Sequence, residues 1–176
     1  MLSHSRRVLT SISATFSLDE VISAVKSGDM MRFRRTTEYF LAHTNEDGSN
    51  NKIMSVISNW RDEKGGTVLH WLCRNVRCTK AHSGDDLVHS VVKYAAELLC
   101  IQDSQLKLPL HIAVEKGEVL VCRVLKLLQL GSPICVRDRN GHAPLDIAYT
   151  YGNGSIVKLL LNSGATFHEL LDSEEK

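Results

Sequence analysis

The chain has no long apolar run, almost no surplus of charge and no acid before Asp19. Its 21 Lys and Arg residues against 20 Asp and Glu leave a formal net charge of +1. That balance provides no overall attraction to nucleic acid or to an acidic membrane surface. No apolar stretch approaches the roughly 20 residues that a bilayer-spanning helix needs. The first stretch is broken up by serines and arginines, which is not the pattern of a secretory signal. There is no glycine-rich phosphate loop either: Lys64-Gly65-Gly66-Thr67 reverses the order in which such loops end, Gly-Lys-Ser or Gly-Lys-Thr. The cysteines (73, 78, 100, 122 and 135) are five, an odd number. Reduced thiols in a cytosolic or nuclear protein fit them better than a disulfide framework. Cys100, Cys122 and Cys135 stand among leucines, valines and isoleucines, and are expected as small buried hydrophobes.

What is present is enough apolar residue to build a core: 43 % of 176 residues, one domain's worth. There is also a repetition. Asp62-Glu63-Lys64-Gly65-Gly66-Thr67-Val68-Leu69-His70 opens on an aspartate and reaches a leucine seven residues later. Asp103-Ser104-Gln105-Leu106-Lys107-Leu108-Pro109-Leu110-His111 and Asp138-Arg139-Asn140-Gly141-His142-Ala143-Pro144-Leu145-Asp146 do the same. The three aspartates are 41 and then 35 residues apart. Repetition on this scale means stacked units, which offer an extended surface and usually no catalytic pocket.

Around these motifs the spacing predicts helices. Leu18, Val21, Ile22 and Val25 form one stripe, with Ser17 and Glu20 as a capping box and Gly28 as a stop. Asp29 caps a second helix on which Met30, Phe33, Thr37 and Phe40 or Leu41 recur. The segment 45–51 reads as a loop. Helices are expected over 68–75 and 87–99 with a polar connector at 76–86, over 109–117 and 119–130, and over 144–151 and 155–162, with a closing half-turn at 166–171. Pro109 suits a first helical position, where its missing N–H would be unpaired anyway.

The third unit, from Asp138 through Ala143-Pro144-Leu145-Asp146-Ile147-Ala148 and Gly152 to Gly164-Ala165, resembles an ankyrin repeat almost throughout. The second carries Leu108-Pro109-Leu110-His111-Ile112-Ala113 and Gly117, and the first Thr67-Val68-Leu69-His70. Residues 18–41, with Ala24-Val25-Lys26-Ser27-Gly28-Asp29, are similar to the finger-less cap that starts many such stacks. The resemblance implies an all-α ankyrin-repeat solenoid of helix-turn-helix units with short β-turn fingers. It would span 18–165, with a cap at 18–44 and repeats at about 60–100, 101–134 and 136–165. Residues 1–17 would be a tail and 166–176 a charged end. Departures are Leu108 and Ala143 for threonine, Val68 for proline, Trp71-Leu72 for a small residue, and Leu106 where the finger's glycine usually sits. Leu69, Leu110 and Leu145 are expected as one buried column, with Ala113 and Ala148 allowing close approach in another.

The family's usual contact positions are the finger tips and the ends of the first helices. In the first unit they are Glu63, Lys64, Gly66, Arg74 and Asn75. In the second they are Ser104, Gln105, Lys107, Glu115 and Lys116. In the third they are Arg139, Asn140, His142, Thr150 and Tyr151. Arg74, Arg139 and Tyr151 are the expected anchors, since Arg and Tyr dominate interface energetics. The implied function is non-enzymatic: gripping a partner protein through the concave face, with no cofactor, no direct nucleic-acid contact and no membrane. One alternative is an inhibitor or effector similar to the inhibitor of NF-kappa-B, masking a transcription factor. Another is an organelle subunit or assembly factor, because 1–17 is basic, hydroxyl-rich and free of acids, as transit segments are. The expected compartment is otherwise cytoplasmic or nuclear.

Three sets of residues have rival chemical readings. His70, Cys73, Cys78 and His82 could hold zinc, but their spacing matches no common zinc module. Cys73 and His70 share a helix face as a nucleophile pair would, yet no orienting acid or oxyanion hole accompanies them. Arg32, Arg34 and Arg35 could meet an acidic partner; a solvated helix face is the plainer reading.

Overall fold

The computed structural model describes residues 18–27, 29, 31–33, 35–36, 50–75, 83–117, 124 and 127–167. Helix α1 (Leu18–Ser27) buries Val21, Ile22, Ala24 and Val25 on one stripe. Asp29 then accepts the Arg32 N–H at Oδ1, 2.9 Å away, and caps the helical residues 31–33 and 35–36. Phe33 and Thr36 of that segment are buried. Helix α2 (Asn50–Asn59) packs on α1. It begins inside the stretch read as a loop and runs through residues assigned to no element from sequence. Ile57 is fully buried and Val56 partly, so a short apolar patch sits behind a polar entry.

The repeat units follow. Helices α3 (Val68–Arg74), α5 (Pro109–Glu115) and α6 (Pro144–Thr150) stand side by side in a row. Helix α4 (Ser83–Tyr94) and a 3-10 turn (Ala96–Leu99) back α3, and α7 (Gly154–Asn162) backs α6. In the second unit, residues 124 and 127–129 are helical, with Val124 and Leu127 buried. Leu69, Leu110 and Leu145 are all fully buried, forming the expected column. Ala113 and Ala148 are fully buried as well, and Leu72 fills the same place in the first unit. A single helix pair could not cover such residues, so each unit depends on its neighbours.

Several expectations need correcting. The helix expected over 87–99 starts earlier, at Ser83, and is broken at Ala95 (φ −147°, ψ 71°). The tighter 3-10 winding beyond the break turns Leu98 and Leu99 together into the core. The connector is shortened accordingly, its residues 76–82 lying outside the described ones. Cys100 and Cys135, expected to be buried, are exposed, whereas Cys73 is buried. Each lies three residues before a finger aspartate, where the chain leaves the helical layer for the surface. Cys122, the tail 1–17, Ser17 with its capping box, and most of the closing half-turn at 166–171 fall outside the described residues.

Candidate functional site: a row of locked fingers

The three fingers are built alike, and the aspartate is the reason. Asp62 N–H donates to the Gly66 carbonyl at 2.8 Å, Asp103 N–H to Lys107 at 2.9 Å, and Asp138 N–H to His142 at 2.9 Å. Each aspartate carbonyl accepts the N–H three residues on, from Gly65, Leu106 and Gly141. Each Oδ1 accepts two more N–H groups, at 2.8–3.0 Å: Lys64 and Gly66, Gln105 and Lys107, Asn140 and His142. One short side chain therefore satisfies the turn's inward amides, which is why an aspartate opens every finger. The turn closes on a left-handed residue, the usual form of a three-residue loop. Gly65 and Gly141 supply it at φ 70° and 81°.

Leu106 holds the same position at φ 57°. The finger keeps its geometry, and a leucine bears the strain. A left-handed L-residue costs about 1–2 kcal/mol, partly offset by the greater entropy a glycine loses. Leu106→Gly is therefore expected to stabilise the protein by about 0.5–1 kcal/mol, read as a rise in the urea midpoint. The leucine side chain is 45 % exposed, so little packing is lost with it.

The fingers are also tied to one another. Ser104 N–H donates to the Lys64 carbonyl at 3.1 Å, and Arg139 N–H to the Gln105 carbonyl at 2.9 Å. His70 adds a third link: its Nε2 bonds to the Lys107 carbonyl at 2.8 Å, while its Nδ1 accepts the Thr67 N–H at 3.1 Å. His111 accepts the Leu108 N–H in the same way, and in the third unit Asp146 Oδ2 accepts from Ala143 at 2.9 Å. Both histidines are fully buried. Burial pushes their pKa below 6.5, against the opposing pull of the Lys107 carbonyl on His70 and the Val136 carbonyl on His111. A folded pKa below the unfolded one means the unfolded chain binds more protons, so stability is full above 6.5 and declines as pH falls through it. The midpoint of thermal unfolding is expected to drop between about pH 7.5 and about pH 5.5. His70→Gln should reduce that dependence.

The same bonds weigh against metal or nucleophile chemistry at His70. Its Nδ1 lone pair is occupied by the Thr67 N–H and its Nε2–H by a carbonyl, so neither ring nitrogen is available to a metal or to Cys73. Cys78 and His82 lie outside the described residues. Among the described residues no group of three or more His, Cys, Asp or Glu side chains is placed to hold a metal ion.

The expected contact residues divide into two kinds. Glu63, Lys64, Ser104 and Gln105 are exposed at the tips of the first two fingers, and Arg139, Asn140 and His142 at the third. Lys116, Thr150 and Tyr151 are exposed at the helix ends, Tyr151 by 62 %. The remainder hold the scaffold. Arg74 is 18 % exposed and spans two units, with Nη1 on Asp62 and Nη2 on Asp103 Oδ2 at 2.5 Å. A Cβ on Gly66 would lie 2.8 Å from that Arg74 guanidinium and 2.9 Å from the His70 Cβ, so only glycine fits there. Asn75 donates to the Trp71 carbonyl at 2.9 Å, and Lys107 pairs with Glu115. Of the three arginines on the capping segment, Arg32 meets Glu20 at 3.1 Å and Arg35 is exposed.

Sequence reasoning missed the feature beside the first finger. A groove of about 510 Å³ opens there, with Trp60 and Trp71 in its wall and Lys26, Arg61 and Lys64 around it. Lys26 Nζ lies 5.1 Å from the Trp60 ring centre, within reach of a cation–π contact. Trp60 and Trp71 are the chain's only two tryptophans, and Trp71 stands where α5 and α6 carry the buried Ile112 and Ile147. That substitution was the signal available in the sequence.

Comparison with known proteins agrees with this architecture. The family model for ankyrin repeats, in three copies, matches residues 80–169. A 66-residue stretch is 36 % identical to the ADP-ribosylation factor GTPase-activating protein AGD2 of Arabidopsis thaliana, covering 38 % of this chain and 8 % of that protein. A 59-residue stretch is 36 % identical to the potassium channel GORK of the same organism, covering 34 % of this chain and 7 % of that protein. The chain thus matches less than a tenth of the length of these curated relatives. The match to the family model, with the aspartate-closed fingers and the buried leucine column, shows that the chain belongs to the ankyrin-repeat family.

Proposed function

We propose that the chain is a non-enzymatic binding module that holds a partner protein on its finger tips and the exposed ends of its first helices. Ankyrin repeats generally mediate protein–protein interaction, and the family is typically without enzymatic activity. The observation that carries the reading here is the fastening of finger to finger through the Ser104 and Arg139 amides. Tips fixed before binding lose little conformational entropy on binding, which favours affinity. The contacts proposed are Lys64, Gln105, Arg139, Asn140 and Tyr151, exposed along one row. Arg74 is left out because both its guanidinium arms are engaged within the stack. Masking a transcription factor and serving as an organelle subunit are the same binding act with different partners. The compartment proposed with the reading is cytosolic or nuclear, on the odd cysteine count and the exposed Cys100 and Cys135 thiols.

The test is affinity capture from the native cell, wild type beside a Lys64→Ala, Arg139→Ala, Tyr151→Ala variant of unchanged thermal stability. A partner protein captured by the wild type and lost by the variant is expected. The same partner retained by both would contradict the placing of the site on the finger row.

A further inference from the structure

We propose that the groove between Trp60 and Trp71 is a docking site for an acidic peptide segment of the partner, a proposal that rests on the protein-binding reading above. The argument is charge set against apolar surface. Lys26, Arg61 and Lys64 are exposed at the groove, and none has a carboxylate within ion-pair distance among the described residues. Arg74 lies deeper and is paired with Asp62, which also lines the groove, and with Asp103 behind it. Glu63 is the one exposed acid at the groove. Among the lining residues four cations, Lys26, Arg61, Lys64 and Arg74, stand against two acids, Asp62 and Glu63, in a chain whose overall charge is close to balanced.

The two indoles supply what the charges cannot. Both are only partly covered, although both pack against the core. At the positions equivalent to Trp71, Ile112 and Ile147 are each 5 % exposed, so the second and third units have no counterpart to this aromatic wall. Lys26 already lies over the Trp60 ring, a contact it could exchange for a carboxylate without leaving the rim. Carboxylates of an extended segment would meet Lys26, Arg61 and Lys64 while an apolar side chain lies along the indoles. Amphipathic aromatics in partly buried pockets are the usual anchors of such contacts. Single-stranded nucleic acid also binds aromatic and basic grooves. It is disfavoured here because Glu63 stands at the mouth and no basic stripe continues along the fingers.

The chain contains no other tryptophan, so intrinsic indole fluorescence reports on this groove alone. The probe is a short peptide of aspartates and glutamates around one leucine. Controls are the same peptide with lysine for each acid, and oligothymidylate. The acidic peptide is expected to change the emission saturably and to bind more weakly as salt rises. A Lys26→Glu, Arg61→Glu variant should weaken it at least tenfold, since like charges then face the ligand. Both side chains are exposed, so the variant is expected to fold, as circular dichroism would verify. No saturable change, an equal response to the lysine peptide, unaltered binding by the folded variant, or a response to oligothymidylate alone would each overturn the proposal. Capture that survives the Lys26 and Arg61 reversals but is lost in the finger variant would remove the groove and leave the binding module standing.

Discussion

Arg74→Ala is expected to destabilise the protein by about 3–5 kcal/mol, because it leaves two inward carboxylates without their cation. Asp103 is the severe case. Its side chain is 1 % exposed, and its Oδ2 faces Arg74 at 2.5 Å while Oδ1 holds two finger amides. Removing the arginine leaves that charge buried and unpaired. Asp62, at 14 % exposure, recovers some solvation. Arg74→Lys should regain only part of the loss, since an ammonium cannot reach both carboxylates as the guanidinium fork does. Asp103→Asn should fall between, keeping an oxygen for the amides but losing the charge. Urea unfolding checks all three, and a shift under about 1 kcal/mol for Arg74→Ala would mean that the bridge behaves as an ordinary surface pair.

Leu110→Ala is expected to cost about 2–5 kcal/mol, the range for a fully buried leucine whose neighbours cannot collapse onto the void. Helix α5 has α3 on one side and α6 on the other, so the cavity opens at the middle of the row. In a short stack the loss is felt by both neighbours, and the third unit then depends on an interface that has been weakened. Circular dichroism through a urea titration should show the midpoint falling. A change below about 1 kcal/mol would place Leu110 outside the shared core.

These two residues differ in how far the sequence revealed them. Leu110 was legible because the aspartate seven residues before it recurs before Leu69 and Leu145, with His111 matched by His70 and Pro109 by Pro144. The Asp62, Asp103 and Asp138 turns were legible for the same reason. Arg74 was legible only as the end of a helix, and was read there as a partner-binding anchor. Its task depends on Asp103, 29 residues away across a unit boundary, and no local pattern records that pairing. Helix α2 was hidden because its asparagine-rich entry looks like a loop, and the apolar patch behind it is short. The break at Ala95 follows from where Leu98 and Leu99 must face, which spacing alone does not state. Cys100 and Cys135 were misjudged because apolar neighbours in sequence are not neighbours in space once the chain turns toward a finger. Trp60 and Trp71 lie on separate elements, α3 and the segment before it, and only folding sets them and Lys26 around one groove.

The claim on which the functional reading depends is that the finger tips are fixed before any partner arrives. Amide hydrogen exchange of the free protein tests it at two atoms, the Ser104 and Arg139 N–H groups that cross between fingers. The account predicts that both exchange slowly, opening only with the global unfolding of the stack and speeding up in Leu110→Ala. Exchange of either amide at the rate of an open loop, with α5 and α6 still protected, would contradict it: the fingers would then order only on binding, and the row would not be a preformed surface.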